Sequence, residues 1–157
     1  MIKKILPSLL FVSLIFILDR SSKYFILELS KPLGQLNIQV NSFLNFNLIW
    51  NNGVAFGLLS FEENFYYEMI TAVIVIVAVL VLWFSFRSQG YEKIGFLMIL
   101  GGALGNIFDR LYYSSVIDFI DVGYNNYHWF IFNVADIFIT IGVIMLISIE
   151  FLKNKKK

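Results

Sequence analysis

Apolar residues gather in four long runs along the chain. The first begins at Ile5, is unbroken to Leu18, and resumes beyond Asp19–Lys23 as far as Leu29. The second, Met69 to Phe86, contains no charge. The third runs from Ile94 to Phe108, and the fourth from Trp129 to Ile149 with Asp136 as its one charged residue. A helix needs about 20 residues to cross about 30 Å of hydrocarbon. The pattern predicts membrane helices over about 5–27, 66–86, 93–111 and 130–151. Asp19 to Lys23, and Asp109 with Arg110, must then lie at the membrane edge or face the protein interior.

The connection over about 30–64 has a different period. Leu36, Ile38 and Val40 alternate with Asn37, Gln39 and Asn41; Phe46, Leu48 and Trp50 alternate with Asn45, Asn47 and Asn51. Alternation by two predicts half-buried strands. Pro32 and Gly34 punctuate the start of this region. A second connection, about 112–129, is expected as a loop.

Composition fixes the solvent. Hydrophobic residues are 59% and charged residues 15% of 157, against roughly 25% charged in ordinary globular chains. So much apolar surface cannot be hidden in a soluble fold of this size, so the surrounding medium is lipid. This excludes disorder, nucleic-acid binding and a cytosolic enzyme. The expected class is a membrane protein, mainly α: one integral-membrane domain over 1–157, built as a four-transmembrane-helix bundle with a small extracytoplasmic β-sheet and loop. There is no cysteine, hence no thiol chemistry, and one histidine, His128, which rules out a multi-histidine metal site.

Charge orients the bundle. Lys3, Lys4, Arg87, Lys93, Lys153, Lys155, Lys156 and Lys157 are eight of the twelve basic residues and fall on one side. Short basic segments stay in the cytoplasm, so both termini are expected inside. Lys3 and Lys4 before an apolar run also fit a signal peptide. Asp19-Arg20-Ser21-Ser22-Lys23 stands where a small-residue cleavage site belongs, so a retained anchor is expected.

Ionisable groups in a bilayer cost several kcal/mol unless paired or wet, which makes each a functional candidate. Asp19 and Lys23 are four apart and share a helix face, as expected of an ion pair. Gly101 and Gly105 form a small-xxx-small pair for close helix packing, and Asn106 and Arg110 share a face beyond them. Asp118, within Val116-Ile117-Asp118-Phe119-Ile120, is either a strand residue facing water or an aimed carboxylate. Asp136 is expected about 10 Å inside the fourth helix, with Asn133 on the same face. His128, between Tyr127 and Trp129, is expected as an interfacial anchor. Two close carboxylates share one proton, leaving one as base toward water and the other as acid toward a leaving amine. Asp118 and Asp136 are the candidates, with Asp109 a competitor.

Five blocks occur in order: Leu18-Asp19-Arg20-Ser21-Ser22-Lys23, Asn51-Asn52-Gly53-Val54-Ala55-Phe56, Gly101-Gly102-Ala103-Leu104-Gly105-Asn106-Ile107-Phe108-Asp109-Arg110, Val116-Ile117-Asp118-Phe119 and Phe132-Asn133-Val134-Ala135-Asp136. Together they resemble the motifs of bacterial lipoprotein signal peptidase, over essentially the whole chain. The resemblance implies an intramembrane aspartic endopeptidase that cuts diacylglyceryl-modified prolipoproteins on the N-terminal side of the lipidated cysteine. It implies Asp118 and Asp136 as catalytic residues and assigns Asp109 to the asparagine–arginine block instead. Asn51, Gly53, Ala55, Phe56, Asn106, Arg110 and Asn133 would support the site, and Asp19 and Lys23 the structure. No metal or organic cofactor is implied, nor a nucleic-acid partner. Membrane lipids surround the chain, a monomer is expected, and globomycin-type inhibitors should bind. The implied location is the bacterial inner membrane, with the active site near the extracytoplasmic face. Arg20 stands where the family commonly has glutamine, and Ser22 where threonine is frequent. Arg20 is expected to snorkel toward the interface.

Two other classes compete: a small transporter relaying ions through Asp136, and a non-catalytic assembly subunit whose acids pair with a partner. The Gly-x-Gly-Asp motif of presenilin-like proteases and the His-Glu-x-x-His motif of zinc proteases are both absent.

Overall fold

The computed structural model describes residues 2–32, 34–53, 63–124 and 127–155. Helix α1 spans Ile2–Ser30, α2 Glu63–Arg87, α3 Gly90–Tyr113 and α4 Val134–Asn154. Strands β1 (Asn37–Gln39) and β2 (Leu44–Asn51) lie between α1 and α2, and β3 (Val116–Tyr124) and β4 (Tyr127–Phe132) between α3 and α4. Among the described residues four helices are long and apolar enough to cross a membrane.

Burial is inverted relative to a water-soluble protein. Leu10, Leu14, Ile76, Val79, Ile144 and Ile147 are exposed, whereas Asp19, Lys23, Asp109 and Asn133 are buried. Lipid tails are as apolar as leucine, so outward-facing aliphatic side chains cost nothing in the bilayer, and helix association depends on close packing and polar contacts.

Helix α3 is the hub, packing against α1, α2 and α4. Its glycines permit the approach. A Cβ on Gly102 would sit 2.5 Å from the Ala135 carbonyl oxygen, and one on Gly105 would sit 2.5 Å from Asp19 Oδ2. The Gly101–Gly105 pair that the spacing picks out faces Ile15 and Asp19 of α1, while Gly102 faces α4.

The sheet lies at one end of the bundle, where α1 and α3 finish and α4 begins. Its order is β1-β2-β3-β4, and every neighbouring pair is antiparallel. Ile26 of α1, Leu36, and Ile117 and Phe119 of β3 form a buried cluster that seats the sheet on the helices. Asp118 lies between Ile117 and Phe119, and successive strand residues face opposite ways. It therefore points away from that cluster.

Two expectations are corrected. The stretch 112–129 is not a loop but carries strand β3 and the start of β4, and 130–132 continues β4 rather than starting a helix. A short aromatic and β-branched run such as His128 to Phe132 satisfies either periodicity. What decides is Asn133, the N-cap of α4, which forms a capping box with Asp136. Asp136 consequently sits in the first turn of α4, not 10 Å inside it.

Candidate active site

The base of the site is an ion cluster between α1 and α3. Lys23 is four residues after Asp19 on α1, so both side chains turn toward α3. The Lys23 ammonium contacts Asp19 Oδ2 at 3.0 Å and Asp109 Oδ2 at 2.6 Å. Arg20 donates to Asp19 Oδ2 at 2.8 Å, and its Nη1 lies 2.5 Å from Asp109 Oδ1. The second contact is ionic without hydrogen-bond alignment. Two cations and two anions thus neutralise one another, which is what a buried charge requires. The expected Asp19–Lys23 pair is present. Arg20 does not snorkel: it is held by both carboxylates and lies over the Phe108 ring at 4.8 Å.

Asp19 and Lys23 each reach further. Asp19 Oδ1 accepts from Ala135 N of α4 at 3.0 Å, tying the first helix to the turn that carries Asp136. Lys23 Nζ donates to Asn106 Oδ1 at 2.9 Å.

Above this cluster lie Asp118 and Asp136, held by three asparagine amides. Asn51 Nδ2 donates to Asp118 Oδ2 at 2.8 Å, and Asn133 Nδ2 to Asp118 Oδ1 at 2.6 Å. Asn106 Nδ2 donates to Asp136 Oδ1 at 2.8 Å, and Asn133 backbone N–H to Asp136 Oδ2 at 3.1 Å. Every carboxylate oxygen of the pair therefore has a donor, and Asn133 touches both acids. The sheet register supplies Asn51: Ile49 is opposite Asp118 and Asn51 opposite Val116, so Asn51 and Asp118 are diagonal neighbours across β2 and β3.

Each amide is also oriented from behind. The Oδ1 atoms of Asn51, Asn106 and Asn133 accept from Gly53 N at 2.8 Å, Lys23 Nζ at 2.9 Å and Asp136 N at 3.0 Å. An amide whose oxygen is taken by a donor must turn its nitrogen the other way. All three nitrogens therefore face the acids.

Burial is the main reason that Asp118 has its pKa pushed up to about 6, from an ordinary 3.8. The amide of Asn51 opposes the shift, and the negative charge of Asp136 adds to it. The two acids thus sense one another electrostatically, as a pair sharing one proton must.

Arg110 lies to one side of the pair. Its guanidinium is 5.1 Å from the centre of the Tyr67 ring and packs on Gly53, where an added Cβ would be 2.7 Å from Nη2. Gly53 also has φ +77°, a conformation that suits glycine. Nε and Nη1 of Arg110 are buried and have no hydrogen-bond partner among the described residues.

Residues 11–152 match the family model described as Signal peptidase (SPase) II. The chain belongs to the signal peptidase II family. It is similar to a lipoprotein signal peptidase of Pelagibacter ubique, 41% identical over 99% of this chain and 94% of that protein. A lipoprotein signal peptidase of Alteromonas mediterranea is 45% identical over 92% of this chain and 80% of that protein. Two solved structures, each described as a bacterial membrane enzyme structure by the in meso method, share the fold at 31% identity. One has a TM-score of 0.74, covering 95% of this chain and 89% of its own; the other has 0.72, covering 90% of each. Membership of the signal peptidase II family makes the chain a membrane-embedded protease.

Among the residues that the sequence singled out for the signal peptidase II chemistry, the fold gathers Asn51, Asn106, Asp118, Asn133 and Asp136 into one network. Asp109 is committed to the ion cluster and also accepts from Ile117 N at 3.3 Å. Gly53 and Arg110 adjoin the network through Asn51 and each other. Ala55 and Phe56 lie outside the described residues. His128 is no simple interfacial anchor: its Nδ1 is 2.7 Å from Oδ2 of buried Asp121. That pair, and Tyr67 beneath Arg110, went unread in the sequence because the hairpin register and the α2–α3 approach that create them leave no motif.

Proposed function

We propose that this chain is an aspartic endopeptidase that removes the signal peptide from diacylglyceryl-modified prolipoproteins, cutting on the N-terminal side of the lipidated cysteine. Asp118 and Asp136 act as the catalytic pair. The observation that carries this reading is Asn133, which holds one acid by its side chain and the other by its backbone N–H.

With one proton between them, one carboxylate takes a proton from water as the water oxygen bonds to the peptide carbonyl carbon. The other gives its proton to the departing amine as the C–N bond breaks. One water is consumed, and the pair ends with the single proton it began with. The oriented amides hold the carboxylates in place through this exchange, which places the groups before reaction rather than during it.

The sheet end of the bundle is the extracytoplasmic end on this reading. Arg87, Lys93, Lys153 and Lys155 belong to the opposite end, where α2 and α4 finish and α3 begins, and basic segments mark the cytoplasmic side. Both termini are then cytoplasmic, and the pair works just beneath the outer headgroups of the bacterial inner membrane. A lipid-bearing substrate enters laterally between helices. The working unit is a monomer that binds globomycin-type inhibitors.

The test uses purified full-length protein in detergent with a diacylglyceryl-modified prolipoprotein. Wild type cleaves; Asp118→Asn and Asp136→Asn remain folded and do not. Full activity in either variant overturns the pair. Transport in liposomes without cleavage would favour the ion-relay reading instead.

A further inference from the structure

Lys23 is fully engaged and almost completely buried. Lys23 is in ionic contact with Asp19 at 3.0 Å and donates to Asp109 and Asn106. The first two contacts balance charge. The third does not, since Asn106 is neutral. Its effect falls on the far end of that amide, where Nδ2 donates to Asp136 Oδ1 at 2.8 Å.

Reversing the Asn106 amide would set its NH2 against the Lys23 ammonium and its oxygen against the Asp136 carboxylate. Both contacts would be repulsive in a site shielded from water, where an unmade hydrogen bond costs about 1–3 kcal/mol. At Asn51 and Asn133 the orienting donors are backbone N–H groups of Gly53 and Asp136. Lys23 is therefore the one side chain among the three orienting donors, and the one that substitution can remove.

We propose that Lys23 is a positioning residue for catalysis, acting through Asn106 to aim a hydrogen bond at Asp136. This rests on the aspartic-pair reading and extends it to the first helix, whose polar residues otherwise read as structural support. Lys23 touches no reacting atom. With its donor removed, only the Asn106–Asp136 contact still favours the native amide orientation, so Asn106 is held less firmly and the orientation that places an oxygen against Asp136 gains population. The cost falls on turnover rather than on substrate binding, because the substrate meets the acids and not Lys23.

The test measures kcat and KM separately on full-length protein in detergent with a diacylglyceryl-modified prolipoprotein. Wild-type cleavage, and its loss in Asp136→Asn, test the underlying reading; the Lys23 series tests the relay. Lys23→Met should lower kcat about tenfold to a hundredfold, leave KM nearly unchanged, and leave the fold intact. Asn106→Ala should lower kcat similarly, and the double variant should be no worse than the weaker single, because the second change has nothing left to disrupt. Lys23→Arg, which keeps a charged donor, should recover most of the rate. If Lys23→Met unfolds because Asp109 loses its partner, Lys23→Met combined with Asp109→Asn removes that charge too and supports the relay by the same kcat loss. Independent, multiplying losses in the double variant would overturn the proposal. So would a rise in KM at constant kcat, or wild-type turnover in any folded variant lacking the Lys23 donor.

Discussion

Asn133 donates its side-chain amide to Asp118 at 2.6 Å while serving as the N-cap of the helix that carries Asp136. One residue thus has two separable duties. A serine caps a helix about as well as asparagine but is too short to reach Asp118. Asn133→Ser should therefore keep a near-native melting temperature while kcat falls tenfold or more. Asn133→Ala should lose the cap as well, at about 1 kcal/mol. Thermal melting and turnover on the same preparations separate the two effects.

The raised pKa of Asp118 gives a pH signature. Between 3.8 and about 6 the folded chain keeps a proton that the unfolded chain gives up. Stability contributed by this group is thus full at low pH and is lost as pH rises through that window. The cost of ionising it in place is on the order of 3 kcal/mol. Melting curves from pH 4 to 8 should show this fall, and Asp118→Asn should reduce it. On the proposed mechanism, the singly protonated pair is the working form. The alkaline limb of kcat/KM, which reports the free enzyme, should lie near pH 6. Bound substrate excludes more water, so the limb of kcat should lie higher. Coincident limbs would argue against burial as the cause.

Much of this arrangement was legible in the chain. Four spans, strands near Leu36–Val40 and Phe46–Trp50, and the Asp19–Lys23 pair follow from period and spacing, because each is a local relation. The family motifs likewise named the five residues of the Asp118–Asp136 network. The hairpin of β3 and β4 was not legible, since Trp129-Phe130-Ile131-Phe132 fits a buried helix as well as a strand. Missing that hairpin displaced Asp136 by more than a turn. The fate of Arg20 was also hidden. Its partner Asp109 is distant in sequence, and only the close approach of α1 and α3 converts a side chain expected at the interface into part of a neutral buried cluster.

That approach depends on Gly105. A methyl there would meet Asp19 Oδ2 at 2.5 Å, and Asp19 is held in place by Lys23, Arg20 and Ala135 N. The carboxylate has no room to retreat without breaking its bond to the first turn of α4. Gly105→Ala should cost about 1–3 kcal/mol through overpacking and lower activity together with stability. Gly34→Ala is the contrasting case, because none of the described residues lies within 4 Å of its added methyl. It should carry only the smaller backbone cost of a residue at φ +67° and leave turnover unchanged.

The Asp121–His128 pair makes the opposite prediction for catalysis. Asp121 is buried on β3, and both of its oxygens lie within 2.9 Å of His128 Nδ1 on β4. The pair clamps the two strands that lead into Asn133, yet neither residue belongs to the network around Asp118 and Asp136. His128→Ala strands a buried carboxylate and should cost about 1–3 kcal/mol at neutral pH, with kcat close to wild type once the protein is held below its lowered melting temperature. Asp121→Asn together with His128→Ala removes the charge as well as its partner, and should recover part of the loss. A folded His128→Ala protein that melts like wild type but no longer turns over would show instead that the imidazole takes part in the reaction.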